Sequence, residues 1–173
     1  FGDFLCRDAN LLIFMVVLPI LCGFLLWLFR KNYGLKLAVA FISSVMNLVF
    51  ALSLYFHSEA FVKLPFAPFG FEYSFRVYGL SSLFLVIAAA AFVLIGIYTA
   101  VYLKDIKYGG LYLFYLFAGV ALVNGVLISD GLGTMLFFWE GLLCVLFGIL
   151  LLQNRDNPKT AVKAITIVGL SDL

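Results

Sequence analysis

Charge is the scarcest commodity in this sequence. Asp, Glu, Lys and Arg make up 12% of its 173 residues, where a soluble domain carries about 25%. Its net charge is only +2, and the 11 basic residues are spread along the chain with no basic face, so no nucleic-acid partner is expected. Histidine is rarer still. The single one, His57, reads as an interfacial surface residue and cannot form a haem-ligating pair. The three cysteines, Cys6, Cys22 and Cys144, are far apart, without a C-x-x-C motif or a nearby histidine. They read as small apolar residues, and no metal is assigned. Ser81, Ser82 and Ser171 have no intramembrane histidine or paired aspartate to activate them, and there is no Gly-rich phosphate loop. No active site of the chain's own and no cofactor are expected.

What fills the space is apolar. Hydrophobic residues make up 65% of the chain and the mean hydropathy is +1.17, which marks a polytopic membrane protein. Charge-free stretches run over Leu11–Phe29, Leu37–Phe56, Leu80–Leu103 and Leu111–Ile128, and Gly131–Leu152 is apolar but for Glu140; each is near the roughly 20 residues that cross the bilayer as helix. The first is longer than a signal-peptide core and no small-residue cleavage pattern follows it, so it is assigned as a span. A sixth helix starts at Pro158, with Asn157 as its cap. The chain begins at Phe1 and stops at Leu173 within an apolar run, so further sequence is expected at both ends. The expected fold is all-α and integral to the membrane, a bundle of about six transmembrane helices with the last one truncated. A short β-hairpin lies on the outer side between the second and third.

The hairpin is read from period-two alternation over Phe71–Tyr78, after the turn signals Pro65, Pro68 and Gly70. Its face of Phe71, Tyr73, Phe75 and Val77 should lie against protein or headgroups. Within the spans, Pro19 frees a carbonyl that a neighbouring helix can satisfy, Asn47 should bond to another helix or to backbone, and Asn124 sits near the end of the fourth span. Ala88–Ala91 form a small-residue patch that admits a close neighbour. Arg30, Lys31, Lys36, Lys104, Lys107, Arg155, Lys159 and Lys163 fall on one side of the membrane and Arg7, Lys63 and Arg76 on the other. The positive-inside rule therefore puts the N-terminus, the hairpin and Asp130 on the non-cytoplasmic side.

Glu140 stands out because it lies seven residues past Gly133, about 10 Å below that surface. Its side chain is too short to reach water, so it needs a protein interior or a water-filled cavity, and either a cation or a proton. An interhelical hydrogen bond from a neutral carboxyl is the purely structural reading; proton handling is the functional one. Asp172 is a second intramembrane acid, about 16 Å in from Ala161 and so close to the depth of Glu140. Lys163 lies near the start of the sixth helix, where it can snorkel or donate protons. No cation stands at the level of the two acids. One is expected beyond Leu173 or on another chain.

These residues form a recognisable pattern. Phe138-Trp139-Glu140 in the fifth span, Leu122-Val123-Asn124-Gly125 before it, Gly79-Leu80-Ser81-Ser82-Leu83-Phe84 opening the third, Tyr98 and Tyr102 closing it, and Lys163-Ala164 before Asp172 together resemble the antiporter-like subunits of complex I. That family includes Mrp-type cation/proton antiporters and the membrane arms of energy-converting hydrogenases and formate hydrogenlyases. The resemblance covers most of the chain from about Gly79 onward. It implies that Glu140 is a mid-membrane proton-handling glutamate paired with a lysine on a seventh helix, and that Asp172 and Lys163 match acidic and basic positions of the sixth. It also implies a division into residues 1–79, two peripheral helices with the hairpin, and residues 80–173, the third helix and the first three helices of an incomplete repeat. Two positions depart from the pattern: Tyr78 where the family commonly has aspartate, and Gly169 where it often has arginine.

The expectation is a proton- or sodium/proton-translocating subunit of a redox-driven complex I-type or hydrogenase-type complex. Its partners would be lipid and other membrane subunits, and its site a bacterial or archaeal cytoplasmic membrane or an organellar inner membrane. The competing readings are an Mrp-type antiporter subunit and a non-transporting scaffold.

Overall fold

In hydrocarbon no water is present to satisfy backbone N–H and C=O groups, so a charge-free stretch of bilayer length closes its own hydrogen bonds as a helix. A computed structural model describes residues 2–28, 33–56, 60–63, 73–102, 108–153 and 158–171. They form α1 (Gly2–Leu28), α2 (Tyr33–Phe56), β1 (Phe61–Lys63), β2 (Ser74–Arg76), α3 (Gly79–Tyr102), α4 (Gly109–Ile128), α5 (Leu132–Gln153) and α6 (Pro158–Ser171). The first five helices are long and apolar enough to cross a membrane, and the chain is an all-helical integral membrane protein with one small sheet. The first helix starts well before the expected span at Leu11. The sixth begins on Pro158, a residue whose missing N–H costs nothing at the first helical position.

The centre of the bundle is α4. Leu113, Phe117, Ala121, Asn124, Gly125 and Ile128 are buried along its length, spaced three and four apart as one helical face requires. α1 runs along one side of α4 and α5 along the other, while α2 packs against α1 and α3. Between apolar helices in lipid the hydrophobic effect gives little discrimination, so close approach at small residues does the selecting. Three glycines set the α4–α5 contact. Gly125 receives the Phe138 ring, Gly148 receives the Tyr115 ring, and a Cβ at Gly141 would lie 2.9 Å from Leu122. Where α4 meets α1, a Cβ at Gly23 would stand 2.9 Å from Phe117 Cβ and 3.3 Å from the Phe114 carbonyl.

Pro19 lies inside α1 and is fully buried. Proline has no N–H, so the carbonyl four residues earlier, that of Met15, has no intrahelical donor. Asn124 of α4 fills the gap, donating through Nδ2 to Met15 O at 2.9 Å. The same nitrogen donates to Asn47 Oδ1 of α2, also at 2.9 Å. The expectations for Pro19 and Asn47 are therefore met at a single three-helix junction.

The hairpin pairs β1 with β2 antiparallel in the register Phe61 to Arg76, Val62 to Phe75 and Lys63 to Ser74. As described it is shorter than the eight-residue alternation suggests, because β1 offers only three partners; Pro65, Pro68, Gly70 and Phe71 fall outside the described residues. Tyr73, Phe75 and Val77 are buried, so the expected apolar face lies against protein. Phe75 packs at 5.9 Å on Phe138 and Tyr73 at 5.4 Å on Phe137, both ring-centroid separations. A further bridge from Phe75 to Ser129 and a hydrogen bond from Asp130 N to Ser74 O of 3.0 Å tie β2 to the α4–α5 turn. The hairpin thus holds the end of the bundle from which Glu140 descends.

Candidate functional site

Glu140 lies eight residues into α5, about 12 Å along its axis, with apolar helix on both sides of it. Only 11% of the apolar window of α5 is buried, against 33% for α4. The buried residues of α5, Thr134, Phe138 and Gly148, share the side that meets α4 and the hairpin. Glu140 is exposed on a flank of α5 away from that side, together with Leu136 and Cys144. The interior expected around this carboxylate is therefore not supplied by the described helices; it projects from the uncovered flank of the bundle.

Lys163 lies five residues into α6, about 7 to 8 Å from its start, and is exposed. Among the described residues neither Glu140 nor Lys163 has a hydrogen bond or an ion pair, so the structure does not bring these two together. Asp172, the third expected site residue, lies outside the described residues. So does His57.

At the hairpin end a different set converges. Arg76 Nε stands 3.3 Å from Asp130 Oδ1, an ion pair that lacks hydrogen-bond alignment. Tyr78 OH donates to the same oxygen at 2.9 Å. The Arg76 guanidinium also covers the Phe61 ring at 4.5 Å and the Tyr78 ring at 5.5 Å. Ser81 closes the first turn of α3, accepting from Tyr78 N at 2.7 Å and donating to Tyr78 O at 3.0 Å. Where the resemblance expects aspartate, a tyrosine hydroxyl thus supplies a polar contact across to the α4–α5 turn.

The junction of α1, α2 and α4 is the feature that sequence reasoning left incomplete. Asn47 and Asn124 are each 1% exposed, and their mutual pairing was not foreseen. Asn47 Nδ2, Asn124 Oδ1 and the buried Ser43 Oγ have no partner among the described residues. A buried polar atom left dry costs about 1 to 3 kcal/mol, so this is a strongly polar spot in a span region that is otherwise apolar. The signal was present as three interruptions of charge-free spans, Pro19, Asn47 and Asn124. Nothing in their spacing says that they meet. Beside the junction, an open apolar groove of about 390 Å³ runs between α3, α4 and α5, with Ala88, Ala91, Gly119 and Asn124 among its lining.

Fold and site together define an integral membrane helical bundle with one mid-span carboxylate on its uncovered flank. No protein-family model and no curated protein matches the chain. Its fold matches a chain in the structure of the membrane-bound sulfane sulfur reductase (MBS), an archaeal respiratory membrane complex, with a TM-score of 0.74 and 20% identity. The match covers 92% of this chain and 25% of that one, so the chain spans a quarter of the length of the protein it resembles. At this identity the likeness is one of fold.

Proposed function

We propose that this chain belongs to a proton- or sodium/proton-translocating, antiporter-like membrane subunit of a redox-driven complex, with Glu140 as its proton-handling group. The observation that carries the reading is the position of Glu140, at mid-span on the flank of α5 that no described helix covers. A carboxylate facing lipid at this depth is costly, roughly 2.5 to 3.5 kcal/mol on insertion scales. A covering helix that brings a cation, or a water-filled cavity, removes that cost. The fold shared with a chain of a respiratory membrane complex supports the same reading, as does the Phe138-Trp139-Glu140 motif.

In this reading a lysine on a further helix pairs with Glu140, Asp172 and Lys163 serve the path beside it, and residues 80–173 hold helices of an antiporter-like repeat. The hairpin end faces away from the cytoplasm. The mechanism is electrostatic: a proton arriving, or the lysine moving, biases the protonation of Glu140, and the change is passed to the next site along the membrane. The test is Glu140→Gln in the complete complex reconstituted in liposomes. Electron transfer to the natural acceptor is measured alongside pH and sodium gradients. Loss of ion movement is expected, whereas unchanged coupled translocation would show that Glu140 is not the proton-handling group. Exchange that persists without any electron donor would instead mark a stand-alone cation/proton antiporter.

A further inference from the structure

The cluster left over from both the fold and the proposed function is the amide pair at the junction of α1, α2 and α4. Asn124 Nδ2 has two protons, and both are used, one on Met15 O and one on Asn47 Oδ1. Its Oδ1 still has lone pairs to fill, and Asn47 Nδ2 still has two protons to place. Both atoms are buried and without a partner among the described residues. The unused groups are complementary, one an acceptor and one a donor, on two side chains already held together by a hydrogen bond. Ser43, buried and with its Oγ likewise unpartnered, extends the set by one turn along α2, about 6 Å toward the α1–α2 end.

We infer that this junction is an internal water-binding site, in which a water accepts from Asn47 Nδ2 and donates to Asn124 Oδ1. Water fits because it is the smallest species that can do both, and buried waters typically make about three such bonds to otherwise unsatisfied groups. An acyl chain or an apolar side chain would leave both amides dry. Turning the amides about does not help: reversing Asn124 would aim its oxygen at Met15 O and Asn47 Oδ1, acceptor against acceptor. The Ser43 hydroxyl offers the water, or a second one beside it, a further partner. The site is independent of Glu140, so it stands or falls separately from the proposed translocation.

The test is water-edited solid-state NMR on the full-length protein in bilayers, with asparagine and alanine labelled with nitrogen-15. Magnetisation from water is expected to reach the side-chain amides of Asn47 and Asn124, while the backbone amides of Ala51 and Ala121, buried in the same bundle, stay dark. Asn47→Leu should abolish the water contact at the Asn124 side chain. Asparagine side chains as dark as those alanines would overturn the inference in favour of a dry amide pair. A water contact at Asn124 that survives in Asn47→Leu would also overturn it, because Asn47 would then not be a ligand. If that variant does not fold, the wild-type measurement decides alone.

Discussion

The link between Pro19 and Asn124 makes a prediction that neither residue makes alone. The Met15 carbonyl is free only because Pro19 has no N–H, and Asn124 Nδ2 satisfies it at 2.9 Å. Asn124→Leu leaves that carbonyl and the Asn47 amide dry together. Interhelical hydrogen bonds in membranes average about 0.6 kcal/mol and reach about 1.7, so losing two should cost about 1 to 3 kcal/mol. With Pro19→Ala in place, the backbone N–H at position 19 takes over the Met15 carbonyl, and only the Asn47 half of the loss remains. Asn124→Leu should then cost less by about 0.6 to 1.5 kcal/mol. Pro19→Ala has effects of its own, since it trims a buried ring and improves helix propensity, but the double-mutant cycle cancels them. The assay is reversible unfolding of the four variants in mixed lipid and detergent micelles. Additivity within about 0.3 to 0.5 kcal/mol, the range of independent sites, would refute the argument that one residue repairs the other.

Other substitutions probe the remaining contacts. Gly125→Ala should destabilise by about 1 to 3 kcal/mol, because its Cβ would meet the stem of the Phe138 ring as well as its edge; thermal unfolding in nanodiscs measures it, and a neutral result would mean that α4 and α5 separate easily. Tyr78→Phe removes the hydroxyl from Asp130 but keeps the ring under Arg76, so it should cost no more than about 1 kcal/mol at this partly exposed site, read from the same melts. Glu140→Leu should raise the efficiency of membrane insertion of α5 in a translocon assay by an amount equivalent to about 2.5 to 3.5 kcal/mol while abolishing translocation; an insertion efficiency equal to that of the wild type would mean that the carboxylate never meets hydrocarbon.

Spans were easy to read because hydrocarbon imposes one rule on the backbone, and the run lengths obey it. Pro158 fixed the start of α6 for an equally local reason. Packing was harder. That α1 lies along α4, far away in sequence, depends on Gly23 meeting Phe117, and no periodicity announces a glycine's partner. The hairpin face was legible from Tyr73, Phe75 and Val77, but its short first strand, β1, was not: Phe61–Lys63 offers too little alternation to be recognised. Glu140 could be singled out by chemistry alone, yet the side of the helix it occupies follows from which residues α4 covers. That in turn follows from Gly141 and Gly148, which look in sequence like two small residues among many.

The contrast between Asn124 and Glu140 carries the argument furthest. Both are polar residues on neighbouring helices, set in apolar surroundings. Asn124 is turned inward, and two of its hydrogen bonds are closed by α1 and α2, so its polarity helps to specify how three helices meet. Glu140 is exposed and has no hydrogen bond or ion pair to any described helix. A carboxylate that only fixed the packing of this bundle would sit where Asn124 sits, on the buried face of its helix. Glu140 instead lies on a flank of α5 with Leu136 and Cys144 exposed beside it, and in the proposed function its polarity is answered by something that arrives from that flank. A group that can be answered from outside can be answered differently at different times, which is the property an ion-translocating site requires and a structural asparagine lacks.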